Sequence, residues 1–171
     1  MSGLFLSVRV LHILFGALWL GGATLLSFFL MPALRDAGPE GGRVMMGLIR
    51  RGLAAFIPSI AGLTVLSGIY LYWHFTDGFS PVVSASMGAR VFGAGGVLGL
   101  VAAIIGGSVV GRSIKNAVGF MTQAAGAKDA DARASLMQRA GQLRQRAATG
   151  GLIVSVLLII TIILMAIGHY V

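Results

Sequence analysis

The side chains in this sequence best able to hold a metal or move a proton are three histidines, His12, His74 and His169. The sequence contains no cysteine, so disulfides, zinc-thiolate sites, iron–sulfur clusters and thiol catalysis are excluded together. His12 stands in LHILFGALWLGG, an imidazole set into an otherwise apolar run. His12, Gly16, Trp19 and Ala23 follow steps of four, three and four, so they share one helical face. On that face Gly16 would leave room for a flat ring or a bound ion. An ionisable side chain inside an apolar span is costly and marks a functional position by default. Arg9, one turn before His12, is placed either to bind a carboxylate or propionate or to snorkel to the head groups. Met165, four residues before His169, would set a thioether beside an imidazole, a soft pair suited to copper. His74, in YLYWHF, and His169, in GHYV, are further candidates, though such positions are more often wetted anchors of an interfacial aromatic belt than ligands.

The elements that must position these residues are membrane helices. Hydrophobic residues make up 57% of the chain and charged residues 11%, with a mean hydropathy of +0.92. A soluble domain carries about a quarter charged residues, so the composition describes an integral membrane protein. Four apolar runs are long enough to cross a bilayer, which takes about 20 residues of helix: 4–30, 53–75, 91–110 and 152–167. The first is too long for a removable signal peptide and lacks the short basic leader and cleavage site of one, so it is expected to stay as a helix. Of the thirteen Lys and Arg residues, eleven fall in the first and third connections and only Arg9 and Arg90 on the other side. Basic residues are retained on the cytoplasmic side, which predicts a multi-pass inner-membrane protein with both termini periplasmic.

The polar stretch 112–149 is predicted to form a cytoplasmic helical hairpin turning at GAKDA, with Leu136, Ala140, Leu143 and Ala147 at helical spacing. Asp129 and Asp131 are its candidate N-caps, and the fourth span should begin well outside the bilayer. DAGPEGG in the first connection reads as a loop followed by a short basic amphipathic stretch. Pro58 removes one hydrogen bond from the second span and is expected to bend it. The fold expected is therefore all-α, a single integral membrane four-helix bundle, N-out and C-out, with the hairpin between spans three and four. Gly95, Gly99, Ala103, Gly107 and Gly111 recur every fourth residue in span three, a ridge that lets another helix come close. Its partner is either a helix of the same bundle or a second subunit, in a homo-oligomer or a larger complex.

Several chemistries are set aside. The net charge of +8 lies between apolar runs without interleaved aromatic residues, which argues against nucleic acid. No Asp or Glu falls inside a span, so a carboxylate proton relay is not expected. No phosphate-binding glycine loop or acyl-transfer triad is spaced for function.

RVLHILFGALWLGGATLLSFFLMPALR, with its histidine, Trp-x-Gly and Pro-x-Leu exit, resembles the first helix of the copper resistance protein D-like group of small bacterial membrane proteins. IPSIAGLTVLSGIYLYW is similar to the second helix of that group. The first helix also resembles that of the J-type protoporphyrinogen oxidases, haem-binding membrane enzymes that carry a membrane lysine; no lysine lies in any span here. The resemblance implies a periplasm-facing metal or haem role involving His12. Together the residues and the resemblance give two ligand expectations. The first is haem b held by His12 with Gly16, Trp19 and Arg9 around it; the second is copper held by His12, His74, His169 or Met165. An accessory subunit without chemistry, or a J-type oxidase, is the alternative function.

Overall fold

The computed structural model describes residues 3–171, and every regular element in it is helical. The first apolar run forms α1 (Gly3–Thr24), a π-helical turn (Leu25–Leu30) and α2 (Met31–Asp36), continuous as one helix of 34 residues. It does not stop near Leu30. Pro32 follows the π turn directly, and its ring would collide with the carbonyl of Phe28 in a regular helix. The wider turn, in which Met31 N–H donates to Leu26 O, carries the helix past that obstacle.

The loop expected at DAGPEGG is reduced to Ala37 and Gly38, because Gly38 reverses the chain at φ 58° and α3 (Pro39–Arg50) starts at once. Gly41 packs so closely on α2 that a Cβ there would overlap Leu34 O. Helix α3 is amphipathic, with Arg43 and Arg50 on an element that also carries Val44, Met46 and Ile49. After Gly52, at φ 94°, α4 (Leu53–Phe75) runs without interruption through Pro58 in its second turn. A loop with the short helix α5 (Pro81–Ser84) leads to α6 (Met87–Ile105). A second π-helical turn (Gly106–Gly111) joins α6 to α7 (Arg112–Gly126), so the third apolar helix outruns its expected bounds at both ends. Helix α8 (Ala130–Ile167) begins where Asp129 Oδ2 accepts the Ala132 N–H at 3.0 Å.

Four helices are thus long and apolar enough to cross a membrane: Gly3–Asp36, Leu53–Phe75, Met87–Gly126 and Ala130–Ile167. The 38 residues of α8 reach about 57 Å, nearly twice the ~30 Å of a hydrocarbon core. Its N-terminal half pairs with α7 around the turn at 127–129, through Ala117 and Ala124 on one helix and Ala140 and Ala147 on the other, all buried. The core of the bundle takes Trp19 and Ala23 from α1, Ile60 and Ala61 from α4, Ala102 from α6, and Val154 and Leu158 from α8. Three of the seven are alanines, in keeping with a setting where lipid gives helices no hydrophobic contrast and close backbone approach supplies the attraction.

Two glycines of the span-three ridge are covered by α8. A Cβ on Gly95 would stand 3.1 Å from Met165 Cε, and one on Gly99 would stand 3.7 Å from Thr161 Cγ2. Gly107 meets nothing within 4 Å, and Gly111 meets only Gly106 O of its own π turn. Thr161 Oγ1, buried in the same α6–α8 seam, has no hydrogen-bond partner. Burying an unpaired hydroxyl costs about 1 kcal/mol or more, so Thr161→Val should raise the thermal midpoint in a detergent melt followed by circular dichroism. A lower midpoint would show that the hydroxyl contributes to the native state.

Candidate functional site

The face of α1 that carries His12 is turned onto α4, and the two helices run antiparallel. Gly16 lies opposite Thr64, whose Cγ2 would be 3.6 Å from an added Cβ, and Gly22 lies opposite Ile57, whose Cδ1 would be 3.0 Å from one. His12 sits one turn earlier on α1 and rests in the notch at Gly68, where a Cβ would come within 2.9 Å of its Cε1. A side chain at position 68 would displace the ring.

Half-buried in this seam, His12 Nδ1 lies 2.9 Å from Thr64 O and 3.1 Å from Ser67 Oγ. A carbonyl oxygen only accepts, so at that distance Nδ1 carries the proton and donates it to Thr64 O. Ser67 Oγ–H is directed to Leu63 O at 2.6 Å, with Thr64 O at 3.0 Å, which leaves an Oγ lone pair for the same imidazole proton. With the proton on Nδ1, Nε2 holds an unshared pair. Histidines that coordinate metals are prepared in this way, with one ring nitrogen tied to a carbonyl and the other free.

The remaining residues singled out from sequence divide between three places. Trp19 shares the helical face of His12 but is only 4% exposed, in the core with Ile60, Ala61 and Ala102. Gly16 faces the Thr64 methyl, so it does not open a slot for a flat ring. Arg9 and His169 meet at the end of the bundle where α1 begins and α8 stops, with the guanidinium NH2 3.2 Å from His169 Nε2. His169 also receives Phe92 edge-on, centroids 5.1 Å apart, and Phe92 packs in turn on Phe75 at 5.3 Å. His74 is exposed and lies against Phe5 at 4.7 Å and Tyr70 at 6.3 Å. Met165 turns its methyl onto Gly95 in the α6–α8 seam. Among the described residues no three of His, Asp and Glu gather as ligands for a metal ion.

Thr64 and Ser67 go unmarked in the sequence reading, and Gly68 enters it only as a small residue leaving room beyond Pro58, yet these three hold the His12 ring. Their signal was available: two hydroxyls and a glycine at steps of three and one, on a single face of an apolar span. An apolar groove between α1 and α8, lined by Ala17, Leu20, Gly21, Thr24, Ile159 and Ile162, opens on a different face of α1 from His12. Comparisons of the chain with protein-family models, with curated proteins and with solved structures found no match.

Proposed function

We propose that this chain is a multi-pass protein of a bacterial inner membrane that binds haem b in the periplasmic half of the bilayer through Nε2 of His12. The single observation that carries the reading is the His12 Nδ1 contact to Thr64 O at 2.9 Å, which fixes the tautomer and frees the other nitrogen. The orientation rests on the distribution of Lys and Arg. With α3 and the α7–α8 hairpin on the cytoplasmic side, the loop 76–86 and the ends of α1 and α8 lie outside.

Haem is favoured over copper by the company that His12 keeps. A copper ion needs at least a second protein donor, and the candidates lie apart from His12 with other neighbours: Met165 against Gly95, His169 with Arg9, His74 beside Phe5. A haem iron is held mostly by its macrocycle and asks the protein for one or two axial donors. Gly16 is faced by the Thr64 methyl and Gly68 by the His12 ring itself, so neither offers space for a macrocycle between α1 and α4. Bound to His12, the group would supply one-electron chemistry, while the protein would set the donor's orientation through Thr64 and Ser67. The resemblance of the first two helices to the copper resistance protein D-like group is consistent with a metal role on this side.

The test is the visible spectrum of protein purified from haem-replete cells. A Soret band is expected in the wild type, and His12→Ala should lose it while its far-ultraviolet circular dichroism stays helical. Colourless wild-type protein, or an unchanged band in His12→Ala, would overturn the proposal. Colourless protein that co-purifies with a larger complex, and loses it on Gly107→Leu, would establish the accessory-subunit reading instead.

A further inference from the structure

We propose that Arg9 and His169 form a binding site for the phosphate of an anionic phospholipid. The two residues come from opposite ends of the sequence and are brought together by the way α8 stops. Its last turn closes at Ile167, Tyr170 N–H returns to Ile167 O at 2.8 Å, and the buried Gly168 carries the chain past Phe92. A Cβ on Gly168 would stand 2.8 Å from Phe92 Cε1, so the glycine is what lets Phe92 lie against this turn and pack on the His169 ring, the two planes 78° apart. That ring then meets the guanidinium of Arg9 across from α1.

The chemistry of the pair calls for an oxyanion. A guanidinium has only donors, so His169 Nε2 must accept the Arg9 N–H, and the remaining ring nitrogen, Nδ1, carries a proton. The pair therefore presents several N–H groups and no free acceptor. Arg9 is half-buried, and among the described residues no carboxylate pairs with it: the ion pairs there are Arg35 with Asp36 and Arg43 with Glu40, far along the sequence. A partly desolvated cation without a counter-charge favours an anion from outside. Phosphate oxygens match the guanidinium fork by accepting two parallel N–H bonds.

The surroundings identify a lipid rather than a soluble phosphate. Arg9 lies six residues into α1, about 9 Å from its start, a depth suited to the boundary between head groups and acyl chains. Leu6 and Ile13, one turn to either side of Arg9 on the same face, are 55% and 61% exposed. Acyl chains, not water, are the natural cover for them. Neither His12 nor iron takes part, so this inference stands apart from the haem reading.

Native mass spectrometry of the detergent-purified protein tests it, with phosphatidylglycerol and phosphatidylcholine added in equal amounts. The wild type should retain phosphatidylglycerol in preference. Arg9→Gln and His169→Gln should each lower that retention by about tenfold, the loss of one charge-assisted hydrogen bond or more. Arg9→Lys should recover part of it, and His12→Ala should retain as much lipid as the wild type. His169 is exposed at the end of α8, so His169→Gln leaves the core intact even if Arg9→Gln destabilises the fold. Equal retention of the two lipids, unchanged retention in both Gln variants, or displacement by inorganic phosphate as effective as by lipid would overturn the proposal.

Discussion

Gly95→Leu should destabilise the bundle by about 3 kcal/mol, the upper range for overpacking a seam that cannot yield, whereas Gly107→Leu should change stability by less than about 0.5 kcal/mol. The two glycines are indistinguishable by sequence, three helical turns apart on one ridge. In the folded chain a Cβ on Gly95 would face Met165 Cε at 3.1 Å, Leu164 Cβ at 3.4 Å and Thr161 O at 3.5 Å, while one on Gly107 would meet nothing within 4 Å. Met165 can swing aside, but the Leu164 Cβ and the Thr161 carbonyl are fixed to the α8 backbone, so a branched side chain must push the helices apart. Thermal melts of the two variants in the same detergent, followed by circular dichroism, read the difference directly. Equal losses would mean that Gly107 is also covered, by a second subunit. Gly107→Leu is therefore the variant that probes a partner, and Gly95→Leu and Gly99→Leu probe the chain's own fold.

Trp19→Ala should cost about 3 kcal/mol, in line with aromatic truncations in packed cores. The indole is 4% exposed and touches a cluster drawn from all four long helices. Transfer from water contributes little to this cost inside a membrane, so the loss comes from contacts forfeited around a cavity too enclosed for lipid to fill. Trp19→Phe, which keeps most of the volume, should cost about 1 kcal/mol. An unfolding titration in sodium dodecyl sulfate, read by circular dichroism because the substitution removes a fluorophore, separates the two. If Trp19→Ala melted like the wild type while losing a bound chromophore, Trp19 would belong to the ligand site and not to the core.

The face shared by His12, Gly16, Trp19 and Ala23 follows from 3.6 residues per turn, and the structure keeps it as a face. What spacing alone did not give was the object that the face meets. The spacing of Met165 and His169, four apart in sequence, predicts a joint donor set, yet α8 ends between them at Ile167 and each side chain meets a different neighbour. The pairing of Arg9 with His169 is a contact between the first and last apolar helices. Nothing local encodes it.

By itself the sequence determined that this is an all-helical chain with four helices long and apolar enough to cross a membrane, because length and hydropathy act through a local rule: a backbone in lipid must satisfy its own hydrogen bonds within each segment. The cap at Asp129 and the helical spacing of the alanines in the hairpin were local in the same sense. Tertiary structure alone decided that Gly68 seats the imidazole of His12, that Thr64 and Ser67 hold its Nδ1, that α8 covers Gly95 but not Gly107, and that Arg9 meets the His169 ring. The reason is physical. Helix formation depends on neighbours within a turn, but the register between helices is set by how small residues on one surface accept the side chains of another, and that fit exists only once the helices have docked.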